Sequence, residues 1–144
     1  MANDPTITLS EQWVKEFLQR PILARLGTAN PQNNQPHVTP VWFEWDGEYV
    51  YISAFMNTRK GREVQKNARI SVLVDVNEPT EAVLFEGIAE ILEDPKVVIP
   101  RSESIYARYV GISEIKKDPY AGWAADKENR IIRLKPEKAF TWRF

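Results

Sequence analysis

A chain of 144 residues with 43% hydrophobic and 11% aromatic residues is long and apolar enough to fold as one domain over residues 1–144, which excludes a disordered protein. Its 19 basic and 20 acidic residues leave a net charge of −1, so we expect no nucleic-acid partner and no attraction to an anionic membrane. The sequence has no cysteine and a single histidine, so we expect neither disulfides nor a metal site. It shows no signal peptide and no apolar run that could span a bilayer, which predicts a cytoplasmic protein.

In chain order, the first predicted element is an amphipathic helix over about residues 8–20. Trp13 and Phe17 lie one turn apart in this segment. Thr8 has the spacing of a capping box, and Ser10 is a rival N-cap. We expect the helix to pack on the rest of the domain as a lid.

About six strands follow, and turn signals and two helical segments separate them. Pro40 lies inside the second strand, where its missing N–H implies a sheet edge, a bulge or an opening in the ladder. Because the strands lack βαβ spacing, we predict a mainly β protein with short helices, built as a small antiparallel barrel. Residues 112–129 are expected to be irregular. The predicted strands cover residues 22–29, 36–45, 48–53, 69–76 and 82–92, and residues 130–134 and 139–144 form one or two more. The helical segments cover 58–67 and an insertion at about 95–117, in which Gly111 is the C-cap.

The helix after the third strand carries the clearest functional signal. Thr58 stands at its N-cap position, and Arg59, Lys60 and Arg62 crowd its first turn. Cations are unfavourable there because the helix dipole is already positive, whereas an anion would be stabilised. We therefore predict a phosphate site, and we expect Gly61 to leave one side of the turn open for close approach. A solvated basic helix end is the alternative interpretation.

Both faces of the second strand carry large apolar side chains. Val38 and Trp42 lie on one face, and Val41, Phe43 and Trp45 lie on the other. One barrel interior can bury only one of these faces. The other would be an exposed apolar patch on a monomer, which predicts an obligate homodimer.

The stretches ARLGTANPQNNQPHVTPVWFEWDGEYVYIS and TRKGREVQKNARISVLV, from Ala24 to Val76, resemble the pyridoxamine 5′-phosphate oxidase-like family of flavin-binding split barrels. The combination of PVWF, DG and TRKGR in this order and spacing carries the resemblance. It resumes over residues 105–111 and 130–144, and it is closest to the branch that includes deazaflavin (coenzyme F-420)-dependent reductases.

This resemblance implies a small antiparallel split β-barrel that forms a homodimer, with two cofactors at the subunit interface. It implies an oxidoreductase that uses FMN on a small-molecule substrate. The alternatives are a reductase that uses deazaflavin coenzyme F-420 as a co-substrate, and a non-catalytic flavin-binding or redox-sensing protein. The implied cofactor contacts are Thr39, Pro40, Val41 and Trp42 along the ring, with Tyr51, Ile52, Ser53, Thr58, Arg59, Lys60 and additionally Arg62 at the phosphate or the ribityl chain.

No nucleophile with an orienting histidine and no carboxylate dyad is recognisable in the sequence. Flavin chemistry needs neither, because the cofactor carries the hydride. We therefore assign no catalytic residue and no metal ligand. His37 stands at a strand start beside a polar turn, and we expect its side chain to be dispensable for cofactor binding.

Overall fold

The computed structural model describes residues 4–144 as a β-rich domain with short helices. Within this range no helix has the length and apolarity needed to cross a membrane. The predicted mainly β fold is confirmed. The strands are β1 (Ala24–Ala29), β2 (Pro36–Val41), β3 (Phe43–Trp45), β4 (Val50–Phe55), β5 (Arg69–Val76), β6 (Glu81–Leu92), β7 (Asn129–Leu134) and β8 (Lys138–Arg143), and the helices are α1 (Pro5–Thr8), α2 (Gln12–Leu18), α3 (Arg59–Lys66), α4 (Pro95–Val110) and α5 (Tyr120–Ala125).

The sheet forms a barrel because its two ends belong to one bent segment of chain. All strand pairs are antiparallel, in the order β2-β1-β5-β6-β7-β4-β3, and β8 pairs with β6. β2 and β3 stand at opposite ends of this order, yet only Trp42 separates them in the chain. The long strand β6 pairs first with β8 and then with β7, so it joins the two halves of the sheet. The predicted split barrel is confirmed.

The predicted strand over residues 36–45 is interrupted at Trp42. On one side of this residue the chain pairs with β1, and on the other side it pairs with β4. Helix α4 supplies partners for the backbone at the break. The Tyr109 hydroxyl accepts a hydrogen bond from the Phe43 N–H at 3.1 Å, and Arg108 Nε donates to the Phe43 carbonyl at 2.9 Å. The interruption therefore leaves the Phe43 backbone groups satisfied.

Pro40 lies in β2 opposite Arg25 of β1. Within the described chain β2 pairs with β1 alone, so it is an edge strand, which is one of the three alternatives that Pro40 implied. The other edge of β2 presents backbone groups that are free to bind a partner or a ligand.

Large side chains fill the barrel interior. Phe43 and Phe85 are fully buried, and the Phe85 ring lies 5.2 Å from that of Trp45. A second buried group, which includes Ile105 and Ile131, joins α4 to β7 on the outside of the sheet. Because a barrel packed in this way has no internal room, a ligand larger than a few atoms must bind outside it.

The predicted helix at residues 8–20 is the shorter α2, and a separate helix, α1, precedes it. The side chain of Asp4 accepts a first-turn N–H of α1 at 2.8 Å, and α1 ends at Thr8. The N-cap of α2 is Glu11, which makes no side-chain capping bond, while the Ser10 hydroxyl donates to a carbonyl of α1 at 2.7 Å. The prediction that Thr8 or Ser10 caps the helix is wrong, because the Asp4–Pro5 pair starts a separate helix earlier.

The segment 112–129, which was expected to be irregular, contains α5. This helix has six residues, too few to show periodicity, and it packs against α4. The Trp123 ring lies edge-on to Tyr106 at 6.1 Å and to Tyr120 at 5.3 Å. Helix α4 ends at Val110 with Gly111 at the C-cap, as predicted.

Candidate functional site

A cleft of about 210 Å³ lies where β4, α3, α4 and α5 meet. We call it the Lys60 cleft. Three of the residues that were implied to bind a cofactor line it, although they come from separate parts of the chain. The lining side chains that matter below are Trp42, Ser53, Lys60, Tyr106, Trp123 and Asn129.

Lys60 is half-buried, and this burial lowers the pKa of its ammonium group. No acidic side chain in residues 4–144 forms an ion pair with it. A partly desolvated cation without a counter-ion favours a nearby anion, which would raise its pKa again. The Lys60 cleft is therefore suited to a negatively charged group.

Thr58 caps α3, as predicted. Its Oγ1 accepts a hydrogen bond from the Gly61 N–H at 3.4 Å and donates to the Phe55 carbonyl at 2.7 Å. The expectation for Gly61 needs correction. A Cβ atom on Gly61 would stand 2.4 Å from the Phe55 oxygen and 2.7 Å from Met56 Cα. The missing side chain therefore makes room for the backbone of residues 55–56 and not for a ligand.

The three cations that were predicted to form the phosphate site point in different directions. Arg59 Nε donates to Glu63 Oε2 at 3.1 Å, and Arg62 donates to the backbone oxygen five residues earlier at 2.5 Å. The buried Glu63 also accepts the Thr28 hydroxyl at 2.7 Å. The Thr28 hydroxyl and then Arg59 hold the pKa of Glu63 below its ordinary value, against the opposing effect of burial. Arg59 and Arg62 line a separate hollow of about 250 Å³, so the Lys60 side chain alone of the three lines the Lys60 cleft.

The side chains of the three predicted residues of β4 lie in different surroundings. Ile52 is buried in the barrel core. Tyr51 lies on the same side of the strand as Ser53, but its hydroxyl donates to Asp46 at 2.9 Å and the Arg101 guanidinium covers its ring at 3.8 Å. Burial and the Asp46 carboxylate raise the pKa of Tyr51. Of the three side chains, Ser53 lines the cleft.

A closed hydrogen-bond network forms the floor of the cleft. Ser53 Oγ lies 2.8 Å from Asn129 Oδ1, 3.1 Å from Ser102 Oγ and 3.0 Å from the Tyr106 hydroxyl. Asn129 Nδ2 donates to Ser102 Oγ at 2.9 Å and to the Ala124 carbonyl at 3.1 Å. Burial raises the pKa of Tyr106, and the hydroxyls of Ser53 and Ser102 act in the opposite direction.

Sequence reasoning missed Ser102, Tyr106 and Asn129 as site residues. Tyr106 has the helical spacing of a core residue, and it is indeed buried. Since the three residues lie on α4 and β7, no local pattern marks them as partners of Ser53.

The segment that was implied to lie along the cofactor ring belongs to β2 and its end. Val41 points into the core, and the Thr39 hydroxyl lies 2.9 Å from His37 Nε2. The Trp42 ring stacks on Tyr109 at 4.7 Å with an interplanar angle of 5°. Trp42 is therefore held in place by α4 where it lines the Lys60 cleft, and the outer edge of β2 is a second part of this segment that is open to a ligand.

The apolar patch predicted on the second strand also needs correction. The buried face is the one with Val41, Phe43 and Trp45. Val38 and Trp42 do not form one exposed face, because Trp42 is partly buried against α4.

Exposed apolar groups lie instead on the outward face of the sheet β2-β1-β5-β6-β8. In this face Val38 is 63% exposed, Ile88 is 47% exposed and Trp142 is 42% exposed. Alternation along the paired strands places all three side chains on the outside of the barrel.

The model of the pyridoxamine 5′-phosphate oxidase family matches residues 10–143 of the chain. Among solved structures, a conserved hypothetical protein from Mycobacterium tuberculosis is 25% identical with a TM-score of 0.78, over 93% of this chain and 84% of that one. An F-420 reductase is 22% identical with a TM-score of 0.69, over 88% and 94%. HutZ, the heme storage protein from Vibrio cholerae, is 18% identical with a TM-score of 0.72, over 92% and 93%.

The similarities to the reductase and to HutZ show a shared fold and nothing further. No curated protein sequence matches the chain significantly. The family match covers nearly all of the chain, including β2, α3 and the elements around the Lys60 cleft. The chain therefore belongs to the pyridoxamine 5′-phosphate oxidase family, as its sequence indicated.

Proposed function

We propose that this protein is a flavin-dependent oxidoreductase that binds FMN and acts on a small-molecule substrate. The observation that carries the proposal is the half-buried Lys60, which within the described chain has no carboxylate partner and lines a cleft beside Trp42 and Ser53. FMN would supply hydride transfer when bound, whereas the protein supplies position and charge.

The residues present fit the phosphate of such a cofactor. Lys60 offers an unneutralised ammonium group. The first-turn amides of α3 lack intrahelical acceptors, and since Thr58 Oγ1 accepts that of Gly61, those of Arg59 and Lys60 are left for a phosphate. Arg59 is tied to Glu63, so we assign it a smaller share of phosphate binding than Lys60. This unequal division refines the expectation that Thr58, Arg59 and Lys60 act together.

The ring of the cofactor fits the free edge of β2. A flavin carries hydrogen-bond donors and acceptors along one side of its ring, and the open strand edge at Thr39–Val41 offers backbone groups that can pair with them. Because Trp42 is stacked on Tyr109, we assign ring contact here to the backbone rather than to the indole.

A second copy of the chain would complete the site. Small-molecule pockets usually measure about 300–1,000 Å³, and the Lys60 cleft measures about 210 Å³. The outward sheet face carries exposed apolar side chains, Val38, Ile88 and Trp142, that association would bury. We therefore propose a homodimer in which the partner supplies the remaining wall of each site.

The deazaflavin coenzyme F-420 is the second candidate cofactor. An F-420 reductase shares the fold, and Lys60 would serve the phosphate of either molecule. A non-catalytic flavin-binding or redox-sensing protein is the third candidate, and HutZ, a heme storage protein, has the same fold.

The absorption spectrum of the purified protein separates these candidates. A flavin spectrum, with FMN released on denaturation, supports the proposal, and repeated oxidation of the reduced protein by an added small-molecule acceptor supports an enzyme. A colourless protein that binds the deazaflavin and not FMN would favour the second candidate. Failure to bind either cofactor would overturn the proposal.

A further inference from the structure

The hydrogen bonds below the Lys60 cleft have a defined direction. The Ala124 carbonyl can only accept, so the Asn129 side-chain atom 3.1 Å from it is the amide nitrogen. Asn129 Oδ1 then faces Ser53, which must donate its hydroxyl proton to that oxygen at 2.8 Å.

The remaining partners of Ser53 follow from this choice. Having donated to Asn129, the Ser53 oxygen can only accept from its two other neighbours. Ser102 lies 3.1 Å away, and it already accepts from the Asn129 amide. The Tyr106 hydroxyl lies 3.0 Å away and donates to Ser53 in turn. The single proton of the Tyr106 hydroxyl is therefore used inside the network.

Having donated to Ser53, the Tyr106 oxygen keeps acceptor capacity, and the residue lines the Lys60 cleft. Since burial raises the pKa of the phenol, Tyr106 stays neutral and does not act as a base at ordinary pH. Towards a ligand it is thus an acceptor. A carbonyl or carboxylate oxygen at this point would face the lone pairs of the phenol and be disfavoured.

We propose that Tyr106 is a specificity-determining residue whose oxygen accepts a hydrogen bond from a hydroxyl group of a ligand whose anionic group binds Lys60. The class of ligand group that satisfies both residues is a polyol phosphate. This inference rests on the proposed function in assigning that group to the ribityl phosphate arm of a flavin.

The experiment compares Tyr106→Phe with the parent protein, using riboflavin and lumiflavin as probes. Riboflavin carries the hydroxylated chain, and lumiflavin carries a methyl group in its place. Tyr120→Phe is the matched control, because it removes a phenol from the same aromatic group while leaving the lining of the cleft unchanged. Thermal denaturation of each variant checks the fold.

We expect Tyr106→Phe to weaken riboflavin binding about threefold to tenfold, because one neutral hydrogen bond is lost. Lumiflavin binding should be unchanged. Tyr120→Phe should change neither affinity. The inference is overturned if Tyr106→Phe binds riboflavin like the parent, or if it weakens both probes equally, since the residue would then be merely structural. In the unaltered protein, equal affinity for riboflavin and lumiflavin would overturn it without any variant.

Ribitol 5-phosphate, a polyol phosphate without a ring, separates this inference from the proposed function. If the parent binds no flavin but binds ribitol 5-phosphate in a Tyr106-dependent way, the inference holds and the flavin assignment fails. If the parent binds neither probe, both are overturned. Binding is measured by NMR titration of the Trp123 indole signal, because this ring lines the cleft.

Discussion

Replacing Lys60 by methionine tests the central feature of the site. The change keeps an unbranched side chain of similar length and removes the charge. A hydrogen bond to a charged group contributes about 1.5–3 kcal/mol, so we expect FMN affinity to fall roughly tenfold to a hundredfold. The lower half of this range is expected, because Lys60 is only half-buried and water screens part of the attraction.

The cofactor-free protein should respond in the opposite way. Burial lowers the pKa of Lys60, and within residues 4–144 no carboxylate compensates it. Lys60→Met should therefore leave the melting temperature of the apo protein unchanged or slightly higher. Arg59→Met should lower it, because the buried Glu63 would keep only the Thr28 hydroxyl as a partner.

The assay is a fluorescence titration of apo protein with FMN, at two salt concentrations, together with thermal denaturation. Lys66→Met is the matched control, since it removes an exposed cation from the same helix outside the Lys60 cleft. If Lys60→Met binds FMN as tightly as the parent, or no more weakly than Lys66→Met does, the phosphate does not lie at Lys60 and the reasoning fails.

Three further expectations concern other parts of the molecule. The native pKa of Glu63 is depressed, so its ionised form should stabilise the fold fully above the ordinary glutamate pKa of about 4.3, and this stabilisation should be lost as the pH falls through the native pKa. The difference in melting temperature between the parent and Glu63→Gln should therefore narrow as the pH falls through this range. A difference that does not depend on pH would contradict this. His37→Ala should bind cofactor like the parent, and a folded variant without cofactor would show that the imidazole is needed. The parent should sediment as a dimer at micromolar concentration, whereas Trp142→Glu, which places a charge on the outward sheet face, should shift the equilibrium toward monomer; a monomeric parent would refute the proposed dimer.

Local patterns determined the strands, the start of α3 and the family. Apolar residues alternate along β1, β5 and β6 because each of these strands buries one face, whereas α4 also covers the outer face of β4 and β7. Thr58 caps α3 through bonds within its own turn. The salt bridge between Arg59 and Glu63 was also within reach of the sequence, because residues four apart share a helix face. That spacing already marks Arg59 as a less available phosphate ligand than Lys60.

The tertiary structure alone decided how the Lys60 cleft is built. Ser53, Ser102 and Asn129 are far apart in the chain, and their hydrogen bonds exist only because α4 and β7 pack beside β4. The same packing stacks Tyr109 on Trp42 and partly buries this indole. Sequence periodicity reports which side of an element is apolar, but contacts between distant elements depend on how those sides pack together, and the cleft consists of such contacts.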